Sequence, residues 1–307
     1  MRNSNKILFF TLFVVSVVFI FMLNQDEEAK EKRPMVAVST FALYDITQHI
    51  AEESVKIVNI IPFGVDPHSF EPTPKLMAKI EKSVLVLYSG AGLEPWIHGY
   101  SFHNASINMS EHVSLRELGE EETEHHHEHE HGSFDPHYWL DFENMKKSTE
   151  LITQELIKIL PENKSRYLAN KVKYIKMLEN LNKMFHDRLQ SCKQDTIIVN
   201  HNAFGYLSQK FAFHVEALSG LTPQAQASAK NMSHLIREIQ SHKVTTVFAE
   251  SFVSAKAMQS VADEAGVKVD VLQPLGNITA DEASQHLSYN AIMKRNLSKI
   301  QKALHCQ

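Results

Sequence analysis

From Met35 onward the chain alternates short apolar runs with longer amphipathic stretches. The first half contains the apolar runs 35–39, 55–61 and 84–90, which are separated by the amphipathic stretches 41–51 and 74–82. Short apolar runs predict buried strands, and amphipathic stretches predict helices that cover a sheet. A regular strand and helix alternation therefore predicts an α/β unit with a parallel sheet and helices on its faces.

The same alternation returns in the second half of the chain. The predicted strands lie at 196–200, 244–249 and 267–272, and the predicted helices at 203–211, 232–241 and 255–265. This second series predicts another α/β lobe of similar design.

Between the two series, a long stretch from Pro161 to Gly205 contains no internal Gly or Pro. Leu168, Val172, Ile175, Leu178 and Leu181 recur there at helical spacing. One helix over residues 162–190 would be about 43 Å long and could span both lobes. We therefore predict lobes at 34–160 and 191–307 with a linking helix at 161–190. The alternative is a bent or interrupted helix inside one lobe.

The N-terminus has the pattern of an export signal. Arg2 and Lys6 precede an uncharged run at 7–23, and a polar stretch follows at 24–33. Positive charge before the run keeps that end cytoplasmic and places the rest of the chain across the membrane, outside the cytoplasm. Residues 21–24 show no small-residue cleavage pattern, so an uncleaved anchor in the inner membrane stays open. Residues 1–33 are thus a signal peptide, or an anchor with a tether.

Charge and composition narrow the classes of function. With 31 Lys and Arg against 36 Asp and Glu, the formal net charge is -5, and no cationic excess is available to bind a phosphate backbone. We therefore expect no nucleic-acid partner. The 18 histidines point to a transition metal instead. The two cysteines, Cys192 and Cys306, have no metal-binding spacing. A metal site must use N and O ligands, and whether the cysteines pair is open.

A low-complexity segment at 120–132 (EEETEHHHEHEHG) contains no apolar residue. Its histidines are His125, His126, His127, His129 and His131. Such a segment predicts a loop with weak, multi-site metal binding. The alternative is a solvated acidic surface loop.

Three histidines stand apart from that loop. His68 and His137 share the pattern Asp-Pro-His-x-aromatic, and His201 directly follows the predicted strand 196–200. The prolines stiffen the backbone before each histidine, and Asp66 and Asp135 could accept the second ring N–H of a metal-binding imidazole. Ligands collect at the carboxyl ends of parallel strands. A structural hydrogen bond is the alternative for each histidine alone, but together they predict a shared metal site.

These motifs, with YSGAGLEPW (88–96) and VLQPLG (271–276), resemble the periplasmic zinc-binding protein of the high-affinity zinc uptake ABC transporter. The resemblance runs from Met35 to the end of the chain. It implies two Rossmann-like lobes joined by one rigid helix, with metal held between them by His68, His137 and His201. It also implies a monomer that captures Zn(II) for an ABC permease. In the manganese branch of the family the position of His201 is usually acidic, so His201 favours zinc over Mn(II).

The sequence departs from the family pattern at Gln273, where many members have Asp before Pro-Leu-Gly. An amide is a poor zinc ligand. The fourth ligand would then be water, a residue of the His-rich loop, or a carboxylate such as Glu250, with Gln273 itself a further candidate. The alternative for Glu250 is a wall residue that accepts hydrogen bonds from the backbone.

Two other classes of function compete with transport. Three histidines with an open fourth place also hold catalytic zinc, so a zinc hydrolase or lyase with Glu250 as base is one alternative. No HExxH motif supports it, and we predict that the protein is not an enzyme. A zinc storage protein is the other alternative.

Overall fold

The computed structural model describes residues 33–118, 134–221, 228–251 and 255–307. These residues contain two four-stranded parallel sheets with helices packed against them. The predicted α/β class is confirmed. None of the helices in the described ranges is long and apolar enough to cross a membrane, and the run 7–23 lies outside those ranges.

The first sheet has the strand order β2-β1-β3-β4. Its strands are β1 (Met35–Val38), β2 (Lys56–Asn59), β3 (Leu85–Tyr88) and β4 (Ser106–Asn108). Helix α1 (Phe41–Ala51) follows β1, and α2 (Pro74–Ile80) follows β2. Strand β1 pairs with both β2 and β3 and buries Val36, Ala37 and Val38 completely. The predicted elements of this half are confirmed, with the ends shifted by a few residues.

The second sheet has the strand order β10-β9-β7-β8. Its strands are β7 (Thr196–His201), β8 (His214–Ser219), β9 (Thr246–Ala249) and β10 (Lys268–Val271). The helices between them are α5 (Gly205–Phe211), α6 (Ala229–Ser241) and α7 (Lys256–Ala265). The edge strand β8 is an element that the sequence pattern did not predict. Strand β7 is buried along its whole length.

Three further helices also escaped prediction. They are α3 (Phe142–Ile159), α8 (Ala280–Ser284) and α9 (Tyr289–Ala303). In addition, a short antiparallel pair, β5 (Arg116–Glu117) and β6 (Phe134–Asp135), flanks the chain between residues 118 and 134. The predicted His-rich loop at 120–132 lies outside the described residues.

The linking helix α4 spans Lys164–Leu189 and is preceded by a 3-10 turn, Pro161–Asn163. It packs on α1 and α3 from the first half and on α5 and α9 from the second. The predicted apolar stripe is partly wrong, because Leu168 is 37% and Val172 64% exposed. The buried face is formed by Tyr167, Asn170, Tyr174, Leu178, Leu181, Phe185 and Leu189.

A buried carboxylate joins α4 to two other helices. Asp45 of α1 accepts hydrogen bonds from the Tyr174 hydroxyl of α4 at 2.7 Å and from the Tyr289 backbone N–H of α9 at 3.1 Å. Burial raises the pKa of Asp45, and the neighbouring His49 opposes that rise. A buried carboxylate that loses its hydrogen-bond donors is destabilising. This junction therefore fixes α1, α4 and α9 against one another.

One hydrophobic cluster runs through both halves of the chain. It includes Val38 and Leu87 of the first sheet, Leu178 of α4, and Val199 and Phe248 of the second sheet. Each sheet also has a smaller cluster on its other face. The helices around α4 therefore belong to a core that the two sheets share.

The two cysteines form a disulfide between Cys192 and Cys306. Cys192 lies just after α4, and Cys306 lies just after α9, where the two residues also form an isolated bridge. The question that the sequence left open is thus resolved in favour of pairing. A structural disulfide fits a protein that folds in an oxidising compartment outside the cytoplasm.

Candidate metal centre

Three histidines are brought together at the carboxyl ends of strands. His68 lies in a 3-10 turn (Pro67–Ser69) beyond β2, His137 follows β6, and His201 is the last residue of β7. The Asp66 side chain accepts the backbone N–H of His68 at 3.2 Å, which starts that turn. His68 and His201 thus follow strands of the two parallel sheets, whose carboxyl ends are usual ligand positions, whereas His137 follows a strand of the antiparallel pair.

The imidazoles of this three-His cluster are close enough to share one ion. Their ring centroids are 5.3 Å (His68–His137), 5.7 Å (His68–His201) and 5.1 Å (His137–His201) apart. One ring nitrogen from each lies within 4.8 Å of the others, and the Nε2 atoms of His137 and His201 are 3.2 Å apart. Two nitrogens bound to tetrahedral zinc are about 3.3 Å apart. The spacing suits a small tetrahedral cation.

Carboxylates fix the orientation of two of these rings. Asp135 Oδ1 accepts the Nδ1–H of His137 at 2.9 Å, and Glu250 Oε1 accepts the Nδ1–H of His201. With each Nδ1–H donated to a carboxylate, each Nε2 keeps its lone pair for a ligand. Two converging lone pairs repel each other unless a cation or a proton lies between them. This arrangement therefore favours a bound cation.

The charges around His137 support the same conclusion. Burial lowers the pKa of His137, although Asp135 opposes the change, so the ring resists protonation, which would block a metal. Asp135 is itself fully buried and accepts hydrogen bonds from Arg116 Nε at 3.1 Å and Nη2 at 3.0 Å. Arg116 thereby pairs with a buried carboxylate behind the metal position.

The space at the cluster is small. The cavity there is about 20 Å³ and is lined by Asp66, Pro67, His68, Leu93, His137, Trp139, His201, Glu250, Pro274, Gly276 and Asn277. A site needs roughly 10–15 Å³ to hold one water. The cavity accommodates one ion or one water.

Trp139 links the cluster to the second half of the chain. Its indole N–H donates to the Pro274 carbonyl at 2.8 Å, and its ring contacts His137 edge-on at 5.5 Å. The VLQPLG segment also supplies Gly276, where an added Cβ would lie 3.3 Å from the Trp139 ring. A side chain there would press on the tryptophan that supports His137. The sequence motif is thus a packing surface for the site.

Asn277 holds the backbone that leads to His68. Its amide donates to the carbonyls of Pro62 and Val65, both at 2.7 Å, and the side chain is buried. Sequence analysis singled out neither Asn277 nor Trp139 as a functional residue. A buried amide between two long-range carbonyls has no local sequence pattern, whereas Trp139 belongs to the motif that located His137.

The two candidates for a fourth ligand are placed differently. Glu250 lines the cavity, and its carboxylate is turned to His201. The Gln273 amide donates to Glu282 at 2.9 Å and to Ser251 at 3.3 Å, while its Oε1 is buried without a hydrogen-bond partner among the described residues. Gln273 precedes Pro274, which lines the cavity. The loop histidines 125–127, 129 and 131 lie outside the described residues.

Asp135→Asn tests the support behind His137. The amide has no charge to stabilise Arg116, and its N–H group can face the imidazole, so the tautomer that presents Nε2 is no longer enforced. We expect zinc affinity to fall about 10–100-fold, the usual cost of losing such a partner. Calorimetric zinc titration measures this, with Asp187→Asn on the exposed side of α4 as the control. Equal affinities for the two variants would contradict the role of Asp135.

Asp66→Asn tests the charge at the cluster. Burial raises the pKa of Asp66 to about 6, and Oδ2 has no hydrogen-bond partner among the described residues. The unfolded value is about 3.9, so the folded protein binds the extra proton between pH 4 and 6 and loses stability as the pH rises through that range. Above pH 6 the buried charge costs roughly 3 kcal/mol.

The asparagine keeps the acceptor for the His68 N–H and removes the charge. We therefore expect the metal-free Asp66→Asn protein to be more stable at pH 7 and to lack the slope between pH 4 and 6. Urea unfolding in the presence of a chelator, at several pH values, measures both effects. Parallel pH profiles for the variant and the original protein would show that Asp66 does not carry the slope.

The fold and the cluster together define a class: a two-lobed α/β solute-binding protein with a metal site built from three imidazoles. The chain belongs to the family described as zinc-uptake complex component A, periplasmic (ZnuA), whose model matches residues 36–303. Members of this family are extracytoplasmic zinc-binding proteins that belong to uptake systems. These relatives are transport proteins and not enzymes.

Known relatives agree with this assignment. The chain is 30% identical over 308 residues to the high-affinity zinc uptake system protein ZnuA of Bacillus subtilis, covering 95% of this chain and 97% of that protein. It is 28% identical over 299 residues to the zinc-binding lipoprotein AdcA of Streptococcus pneumoniae, covering 94% of this chain and 60% of that protein. The chain thus spans only part of the AdcA relatives.

Solved structures show the same architecture. The crystal structure of the Zn(II)-bound ZnuA-like domain of Streptococcus pneumoniae AdcA matches with a TM-score of 0.74 and 26% identity, over 89% of this chain and 99% of that one. The metal-dependent lipoprotein YcdH of Bacillus subtilis matches with a TM-score of 0.74 and 28% identity, over 89% of this chain and 100% of that one.

Proposed function

We propose that this protein captures Zn(II) outside the cytoplasm and delivers it to an ABC permease in the inner membrane for import. The observation that carries the proposal is the convergence of His68, His137 and His201 on a cavity of about 20 Å³. Imidazole suits Zn(II) better than the oxygen-preferring Mn(II). The zinc-binding relatives add independent support.

The details of the site are part of the same proposal. His68, His137 and His201 bind the ion, and the His-rich loop binds further zinc weakly. For the fourth position the candidates are Glu250, which lines the cavity, and Gln273, whose Oε1 is a buried acceptor without a described partner. Zinc titration of Gln273→Ala and Glu250→Gln compares the two. The lobe boundaries at 34–160, 161–190 and 191–307 stay predictions.

Export and attachment complete the proposal. Residues 1–33 direct the chain to the periplasm, as a cleaved signal or as an inner-membrane anchor, and the protein acts as a monomer. The Cys192–Cys306 disulfide supports an oxidising location.

Uptake of radioactive zinc by cells tests the transport role. At low external zinc, we expect a strain that lacks the protein to take up zinc slowly, and we expect the original gene, but not the His201→Ala gene, to restore uptake. Restoration by His201→Ala would contradict the proposal.

An assay for chemistry separates transport from catalysis. Zinc bound in a cavity of about 20 Å³ has little space for a substrate beside it. The zinc-loaded protein should therefore not hydrate CO2 or hydrolyse activated esters faster than free zinc does. A rate far above that of free zinc, lost in His201→Ala, would favour the zinc-enzyme alternative.

A further inference from the structure

A row of alternating carboxylates and imidazoles crosses the surface of the second half of the chain, apart from the three-His cluster. It consists of Glu216 on β8, His234 and Glu238 on α6, His242 directly after α6, and Asp195 before β7. The name His–carboxylate row is used for these five residues. Each imidazole in it lies between two carboxylates.

The spacing along α6 produces this row. His234, Glu238 and His242 follow one another at intervals of four residues, so they share one face of the helix. The opposite face buries Leu235 and Ile239 against the sheet. The row residues are not needed in the core, and their side chains are 47% (His234), 26% (Glu238) and 39% (His242) exposed.

The distances between neighbours in the row are slightly longer than those between two ligand atoms on one zinc ion. His234 Nε2 lies 3.6 Å from Glu216 Oε2, and His234 Nδ1 lies 3.8 Å from Glu238 Oε1. His242 Nε2 lies 3.4 Å from Glu238 Oε2, and His242 Nδ1 lies 3.6 Å from Asp195 Oδ1. A nitrogen and an oxygen bound to tetrahedral zinc are about 3.3 Å apart. Small side-chain rotations would close each gap.

We propose that the His–carboxylate row is a second, weak Zn(II) site centred on Glu238. The two oxygens of Glu238 face His234 and His242 separately, so a bound ion takes one imidazole and one carboxylate at a time, and water completes its coordination. A groove of about 540 Å³, lined by Glu216, His234 and Glu238 among others, provides space for that water. This proposal stands on residues that the three-His site does not use.

Charge limits the affinity of the row. Three carboxylates attract a cation, while Lys230 and Arg237, which line the same groove, oppose it. Among the described residues, the three-His cluster alone brings three ligand atoms within 4.8 Å of one another. With two protein ligands at a time, the row should bind zinc far more weakly than the cluster does, in an exchangeable form suited to collecting zinc near the protein surface.

The test counts weak zinc equivalents in the full-length protein. The protein is first loaded with one equivalent of zinc, and further zinc is then titrated in competition with an indicator of micromolar affinity. The variants are His234→Ala/His242→Ala and Glu238→Gln, and the control is His98→Ala/His112→Ala, which removes two exposed histidines outside the row. All variants keep the His-rich loop, so its contribution is the same throughout.

We expect both row variants to lose about one weak equivalent relative to the original protein, while the control loses none. The affinity for the first equivalent, measured in a separate titration of the zinc-free protein, should stay unchanged in every variant, which shows that the fold is intact. Equal weak binding by the original protein and both row variants would overturn the proposal. That result would leave the three-His site untouched, because the first equivalent is measured separately.

Discussion

His201→Ala is expected to abolish tight zinc binding. The variant loses one of three imidazoles and leaves Glu250 without the ring N–H that it accepts. Zinc bound by four protein ligands has an apparent binding free energy of about 10–16 kcal/mol, or roughly 2.5–4 kcal/mol per ligand. The dissociation constant should therefore rise about 70–900-fold. Calorimetric titration of the protein with zinc measures the change.

Deletion of residues 120–132 is the matched control for that titration. It removes five histidines and should abolish only weak binding, because the three-His cluster lies on other elements. Tight binding that survives in His201→Ala but disappears with the loop would show that the loop, and not the cluster, is the main site.

Removal of the disulfide is expected to lower the thermal stability of the protein strongly. Cys192 and Cys306 are 114 residues apart in sequence. A cross-link over a loop of about 100 residues restricts the unfolded chain by roughly 4–5 kcal/mol. At roughly 2–4 °C per kcal/mol, Cys192→Ser/Cys306→Ser should lower the melting temperature by about 8–20 °C. Circular dichroism during heating measures it.

Reductant provides the control for this measurement. Dithiothreitol should lower the melting temperature of the original protein and leave that of Cys192→Ser/Cys306→Ser unchanged. If both proteins melt at one temperature without reductant, the bridge does not stabilise the fold. Zinc is kept constant in all samples, because a bound ligand raises the melting temperature by itself.

The alternation of apolar runs and amphipathic stretches predicted most of the two sheets, because their central strands are buried on both faces. Helix α3 was missed for a physical reason. Its buried face contains Ser148, Thr149 and Thr153, whose hydroxyls donate to carbonyls four residues earlier, at 2.9, 2.7 and 2.7 Å. Polar residues satisfied in this way fit a buried surface but break the apolar pattern that indicates a helix.

The face of the linking helix was mispredicted for a related reason. Tyr174 lies on the buried side because its hydroxyl binds Asp45, and Asn170 because its amide donates to the Ile50 carbonyl at 3.2 Å. Hydropathy ranks Leu168 and Val172 above both, yet these two are exposed. Partners more than 100 residues away decide which side of this helix faces inward.

The sequence predicted which three histidines the structure brings together, but it did not predict the residues that support them. Asp-Pro-His is a local pattern, so His68, His137 and the hydrogen-bonding role of Asp135 could be predicted. Arg116 and Asn277 act through contacts with distant backbone or side chains. Such contacts depend on how the sheets and loops meet, which no local pattern records.

The shared hydrophobic cluster has a consequence for how this protein unfolds. Residues of both sheets pack into one continuous core through α4, so part of the apolar surface of each lobe is buried against residues that the lobes share. The smaller clusters behind each sheet are satellites of that core. Two lobes that are separate in their sheet topology should therefore unfold in one cooperative transition. A destabilising substitution in either lobe should lower the stability of the whole protein.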